Sequence, residues 1–217
     1  MKLLTPWTTI QIAVSTHSDM TMKSHLIYDP TTYTSMPWRN GLGHTVELLK
    51  HDVPDTDTFA WRLSMADVVT NGEFSNFTGF DRTLLLLKGN GMTLEFVSGR
   101  RAELTEPLQM TQFKGDEPTV ATLHDGPITD FNVMCSRAHC RAEVISSNTH
   151  AQHDLDVNCN VLLVYSLGDV LTLRTTTQEG ITVAERHLFC ITEPVRQTLQ
   201  VSGAAFVAVQ ICYQESC

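Results

Sequence analysis

The chain is predicted to be all-β, two β-barrels in tandem with little helix. Three observations carry this. Strand-length runs of apolar and β-branched residues recur between turn residues. Helical periodicity is thin along the whole chain. The second half also repeats the pattern of the first.

The strands are expected over Thr83–Lys88, Met92–Val97, Thr119–Leu123, Asp130–Arg137, Val161–Ser166, Val170–Thr175 and Ala204–Tyr213. Gly89-Asn90-Gly91, Ser98-Gly99, Asp125-Gly126-Pro127 and Gly168-Asp169 bound them. Asn-Gly favours positive φ, so Gly89-Asn90-Gly91 reads as a hairpin turn rather than a phosphate loop. The one place for a helical turn is Thr45–Lys50. The repeat rests on three collinear matches. Gly89–Leu94 aligns with Gly168–Leu173 at an offset of 79, Phe113–Leu123 with Phe189–Leu199 at 76, and Phe131–Val133 with Phe206–Ala208 at 75. On the last match, the equivalent of Asp130–Met134 is Ala205–Val209, which lacks polar groups. Any pocket is therefore expected in the first copy, with the second as structural support or as the interface of a homodimer. The divisions are an extension over residues 1–22, a first barrel over 23–140 and a second over 141–217, with strands free to exchange between barrels. The extension is expected to be disordered, or to precede a native start at Met20 or Met22.

Composition limits the function. The chain has 217 residues, 42% of them apolar, enough for a sizeable core. No run reaches the ~18 apolar residues of a membrane helix, so no membrane partner is expected. With 15 basic and 24 acidic side chains the net charge is −9, which argues against a nucleic-acid partner. The six cysteines, Cys135, Cys140, Cys159, Cys190, Cys212 and Cys217, form no CxxC. They read as reduced, mostly buried thiols of a cytoplasmic protein.

Polar groups among aromatics mark the stretch from Pro37 to Gly91 as the place for a small-molecule pocket. In Phe59–Ala66, alternation puts Phe59, Trp61, Leu63 and Met65 on one face and Arg62 and Ser64 on the other. A guanidinium offers a planar fork that fits a carboxylate. Arg62 and Arg82 can instead serve as structural ion pairs with Asp81 or Asp130. Asp81-Arg82 can also fix the turn after Gly79. Asp130 and Asn132 share a face, where they can orient an amino or formyl group, pair with Arg62 or cap a neighbouring strand. Trp61 or Trp38 is expected beside the cavity, with Arg39 and Asn40 as further wall residues and His44 as a ligand contact. No metal site is expected. His-x-His is missing, and His150 and His153 lie in a polar loop. No Gly-x-Ser-x-Gly and no Cys–His arrangement indicates a nucleophile.

Pro37-Trp38-Arg39-Asn40-Gly41, Trp61-Arg62-x-Ser64-Met65-Ala66, Gly72-x-Phe74-Ser75-x-Phe77-x-Gly79-x-Asp81-Arg82 and Gly126-Pro127-x-x-Asp130-Phe131-Asn132-Val133-Met134 stand in this order. That series resembles the HutD/Ves family of bicupin proteins. The resemblance implies tandem cupin-like barrels, with Trp38, Gly41, Phe74, Gly79, Asp81 and Arg82 as structural motif residues. It implies no cofactor. It also implies an accessory role linked to histidine utilisation, with a pathway carboxylate such as N-formylglutamate or urocanate as the ligand, or a stress-related role. The expected function is non-enzymatic binding of a small carboxylate. The alternative is a metal-independent cupin isomerase or lyase acting on a small organic acid, with His44 and Asp130 as its acid/base pair.

Overall fold

The computed structural model describes residues 25–38, 43–175, 178–194, 196–203 and 205–214. Nineteen strands follow in chain order: β1 (His25–Tyr28), β2 (Thr34–Pro37), β3 (Gly43–Asp52), β4 (Phe59–Val68), β5 (Gly72–Glu73), β6 (Phe80–Lys88), β7 (Met92–Phe96), β8 (Arg101–Leu104), β9 (Met110–Lys114), β10 (Thr119–Leu123), β11 (Ile128–Ser136), β12 (Cys140–Ser147), β13 (His153–Val157), β14 (Val161–Ser166), β15 (Leu171–Thr175), β16 (Gln178–Val183), β17 (Leu188–Thr192), β18 (Gln197–Ser202) and β19 (Phe206–Tyr213). The helical content among the described residues is one 3-10 turn, Pro30–Thr32, capped by the Asp29 carboxylate, which accepts from the Thr31 amide. Among the described residues no helix is long and apolar enough to cross a membrane.

The strands form two barrels of the same design. In the first, a six-stranded sheet ordered β2-β3-β4-β11-β6-β9 faces a four-stranded sheet ordered β5-β10-β7-β8. In the second, β1-β17-β14-β19-β12 faces β13-β18-β15-β16. Reading β4, β11, β6 and β9 against β12, β19, β14 and β17 superposes the two orders, so the fold is duplicated. Gly89 and Gly168 lie in the equivalent turns after β6 and β14. Gly89 has φ +101, and a Cβ there would meet the Pro127 carbonyl oxygen at 2.6 Å. β1 precedes the first barrel in sequence yet joins the second, pairing with β17.

Each barrel has its own core. Leu84, Leu86, Met92 and Leu94 fill the first; Leu162, Val164, Leu173 and Phe189 fill the second. A third core lies where the two large sheets pack back to back, with Leu63, Leu85, Phe131 and Val133 meeting Leu163, Tyr165, Val207 and Val209. This explains why β11 is buried on both faces. It lies between the first barrel's interior and the junction.

Three sequence expectations are corrected. Thr45–Lys50 is strand, inside β3. A bulge shifts the register between Glu47 and Leu49, so Val46, Leu48 and Leu49 all reach the junction core. That spacing imitates a helical stripe. A second bulge, between His51 and Asp52 opposite Trp61 and Phe59, breaks the alternation at the start of β4. Ala60 and Trp61 both turn to the junction core, and Phe59 joins the side of Arg62. The third concerns the repeat. Phe131 faces the junction, whereas Phe206 faces its barrel's interior, so aligning them reverses the faces. Ile128 opens β11 and Phe206 opens β19, an offset of about 78. On that register Asn132 corresponds to Gln210 and Arg62 to Arg141, so the second copy does carry polar counterparts.

Candidate functional site

A cavity of about 480 Å³ opens into the second barrel and one of about 600 Å³ into the first. The larger is built from the inner faces of β4, β6 and β11. Arg62, Met134 and Arg82 stand opposite one another across these three strands. The next inward residue of β11, Asn132, faces Ser64, and the next, Asp130, faces Ala66. Two residues span about 7 Å along a strand. A cationic row therefore gives way to an amide row and then to a carboxyl row. Trp38 closes one wall, its indole Nε1 donating to Thr45 Oγ1 at 2.9 Å.

The two guanidiniums are held by aromatic rings rather than by acids. Arg82 lies over Phe74, Phe77 and Phe113, at 5.1, 5.5 and 4.9 Å from their centroids. Arg62 lies over Phe59 and Phe77, at 5.1 and 5.4 Å, and one of its terminal nitrogens is 3.3 Å from Met134 Sδ. Stacking occupies the faces of a guanidinium and leaves its N–H edge for a ligand. Phe77 serves both cations. The Gly72–Gly79 segment that carries it is tied down by Phe74 N to Thr119 O and Phe77 N to Gly115 O, at 2.9 and 2.8 Å. A Cβ on Gly115 would meet the Phe77 carbonyl oxygen at 2.4 Å, so glycine permits that approach.

Arg82, Asp130 and Asn132 are 5%, 2% and 8% exposed. Four buried side-chain atoms have no hydrogen-bonding partner among the described residues: Arg62 Nε, Arg82 Nε, Asp130 Oδ1 and Asn132 Oδ1. All four residues line this cavity. Burial pushes the Asp130 carboxyl up to about 7, against the Arg82 charge and with a smaller push from Asp67. Burial also lowers Arg82 to about 10, and lowers Arg62 against the attraction of Glu47.

Of the residues singled out by sequence, Trp38, Arg62, Ser64, Phe74, Arg82, Asp130 and Asn132 meet in this cavity. Trp61 does not. It is buried in the junction core, with its Nε1 3.4 Å from the Tyr213 hydroxyl. His44 lies on the opposite face of β3, 3.5 Å from Asp67 Oδ2, which also separates it from Asp130. Asp81 is exposed and pairs with Arg137 at 3.2 Å. Neither Arg62 nor Arg82 makes an ion pair with Asp81 or Asp130 among the described residues. Gly79 supplies a turn at φ +87. Arg39, Asn40 and Gly41 lie outside the described residues. Sequence reasoning missed Phe59, Phe77, Phe113 and Met134 as the groups that hold the arginines. The spacing of Phe74 and Phe77 between two glycines was the available signal.

Among the described residues, the second barrel's cavity lacks the phenylalanines and the second arginine, and its amide is held differently. Its Gln210, 5% exposed, accepts from Asn158 N at 3.1 Å and donates to Asp156 O at 3.2 Å. The amide thus fastens β19 to the end of β13 and the residue after it, whereas the Asn132 oxygen of the first barrel has no partner among the described residues.

An all-β protein of two cupin-like barrels, one with an arginine-lined interior cavity, is a bicupin. The HutD family model matches residues 30–209, and the chain belongs to that family. It is similar to an uncharacterized 21.2 kDa protein in the hutC 3′ region of Pseudomonas putida, 37% identical over 52% of this chain and 58% of that one. It is similar to Protein Ves of Citrobacter koseri, 41% identical over 49% of this chain and 56% of that one. These matches span little more than half the length of the curated relatives. Among solved structures, HutD from Pseudomonas fluorescens SBW25 is 25% identical, covering 88% of this chain and 100% of that one with a TM-score of 0.77.

Proposed function

We propose that the protein binds a small carboxylate in the first barrel and acts as a non-enzymatic accessory to histidine utilisation. One observation supports this above others: two donor and two acceptor atoms, all buried and without partners among the described residues, line a single cavity. Leaving such atoms unmatched costs about 1–3 kcal/mol each. A ligand with a carboxylate at one end and an N–H or O–H group about 7 Å away would meet the arginine row and the Asn132 oxygen one row on. Urocanate has that form; N-formylglutamate offers the carboxylate with a nearer amide N–H. The association with histidine utilisation draws on the names of the HutD structure and of the relative in the hutC region.

Calorimetry with formate, N-formylglutamate and urocanate tests the reading. A charge-assisted hydrogen bond contributes about 1.5–3 kcal/mol. Arg62→Ala is therefore expected to weaken binding by about ten- to a hundredfold. Arg62→Lys should recover only part, because a point charge does not replace the fork. If no carboxylate binds the wild type, or if folded Arg62→Ala binds as tightly, the reading fails. A second reading, catalysis on a small acid, is favoured by Asp130. A carboxyl titrating near 7 suits a general acid or base at neutral pH. Conversion of a bound carboxylate, followed by NMR and abolished in Asp130→Asn, would establish it.

A further inference from the structure

The back-to-back packing of the barrels leaves a separate cavity of about 480 Å³ at the junction. Its floor is apolar, with Met65 and Leu87 from the first barrel and Tyr165 and Leu167 from the second. Lys88 and Arg186 stand at its rim, one from each barrel. Neither makes an ion pair with an acid among the described residues. The acids there are Asp67 and Glu185. Asp67 already accepts from Thr129 Oγ1 at 2.7 Å and lies beside His44.

The rim is held by backbone. Arg186 adopts φ 61 in the turn between β16 and β17, with its amide donating to Ser166 O at 2.9 Å and its carbonyl accepting from the Tyr33 hydroxyl at 2.7 Å. The equivalent turn of the first copy has Leu108 at φ 67, its amide donating to Leu86 O at 2.7 Å. Duplication thus brings the same strained position to the cavity from both sides. One copy offers an apolar side chain and the other a cation.

We propose that this junction is a second small-molecule site, one that takes an amphipathic monoanion. The apolar body would lie on the four-residue floor and the anion between Lys88 and Arg186. The volume suits such a ligand, since small-molecule sites run to about 300–1,000 Å³. The two cavities share walls but not residues. Strands β3, β4 and β11 turn Thr45, Ala66 and Asp130 into the barrel and His44, Asp67 and Thr129 into the junction.

The probe is 8-anilinonaphthalene-1-sulfonate, an aromatic body with one anion, titrated into the full chain and followed by fluorescence. One saturable site is expected. Leu167→Trp, which fills the floor, should weaken it at least about tenfold. Lys88→Gln with Arg186→Asn should weaken it by about five- to tenfold. Asparagine tolerates the left-handed backbone, so this variant keeps the turn. Arg62→Ala should leave the probe's affinity unchanged. Should Leu167→Trp not fold, the charge variant decides alone. The proposal is overturned if binding is not saturable, if the charge variant binds as tightly as wild type, or if Arg62→Ala abolishes binding.

Discussion

Replacing Asp130 by asparagine isolates the electrostatics of the barrel cavity. Burial raises the Asp130 carboxyl from 3.8 to about 7. The folded value lies above the unfolded one, so between about pH 4 and pH 7 the folded state holds the extra proton. The stability this confers is fully present below the unfolded value and is lost as pH rises through the folded one. At about 1.4 kcal/mol per pH unit, the whole fall is about 4 kcal/mol. That is a large part of the 5–15 kcal/mol typical of a folded domain. Asp130→Asn cannot ionise, so its stability should lack this fall. The attraction between Arg82 and the ionised carboxylate is already contained in the folded value of about 7, and Arg82, at about 10, adds no titration of its own from pH 5 to pH 8. Urea unfolding of both proteins at pH 5, 6, 7 and 8 gives the difference directly. Wild type minus variant should fall by about 3 kcal/mol across that range, most steeply below pH 7. Parallel curves would refute a buried, protonating Asp130. Anion binding should follow the same group, weakening above pH 7 in the wild type but not in Asp130→Asn.

Two further predictions separate the cores from the cavity. Trp61→Phe should cost about 1–2 kcal/mol, a part of the 3–5 kcal/mol typical of truncating a buried tryptophan to alanine, and should leave carboxylate affinity unchanged by calorimetry. Gln210→Ala removes both hydrogen bonds that fasten β19 in the second barrel. Urea unfolding should show a loss of about 2 kcal/mol without effect on the first barrel's binding.

Much of the fold could be read from sequence because its strands have two covered faces or clean turns. Val161–Ser166 is apolar throughout and is a strand with those bounds. The failures share a cause. Period-two alternation locates a side chain only while the register holds, and the three corrected expectations each fall at a bulge or a register error. The bulge at the start of β4 sent Trp61 to the junction and brought Phe59 to the arginines. The bulge in β3 gave Thr45–Lys50 a helical look and hid Thr45 from the cavity wall. Matching Phe131 to Phe206 by residue type moved the second copy onto the wrong face and hid Gln210. The chemistry of the cavity was more legible than its construction. Arg62, Ser64, Asp130 and Asn132 belong to unbroken stretches of β4 and β11, where alternation is reliable. Phe74, Phe77 and Phe113, which hold the cations together with Phe59 and Met134, come from the Gly72–Gly79 segment and from β9, which no strand pattern ties to them.

The duplication shows how one chain accommodates both a stable fold and an unmatched polar site. In the second barrel a glutamine amide closes its own hydrogen bonds, and the cavity's floor becomes a fastening between sheets. In the first barrel the residue at the same place is one methylene shorter, and its oxygen is left free, as are the arginines and the carboxyl around it. Each unmatched atom weakens that barrel by an amount comparable with a good core contact. The compensation is structural. β11, which carries Asp130 and Asn132, is clamped on its other face by Phe131 and Val133 in the junction core. The second barrel therefore stabilises the strand on which the first barrel places its unsatisfied groups. A barrel expressed alone would lose that clamp, and the site would be expected to lose its geometry with it.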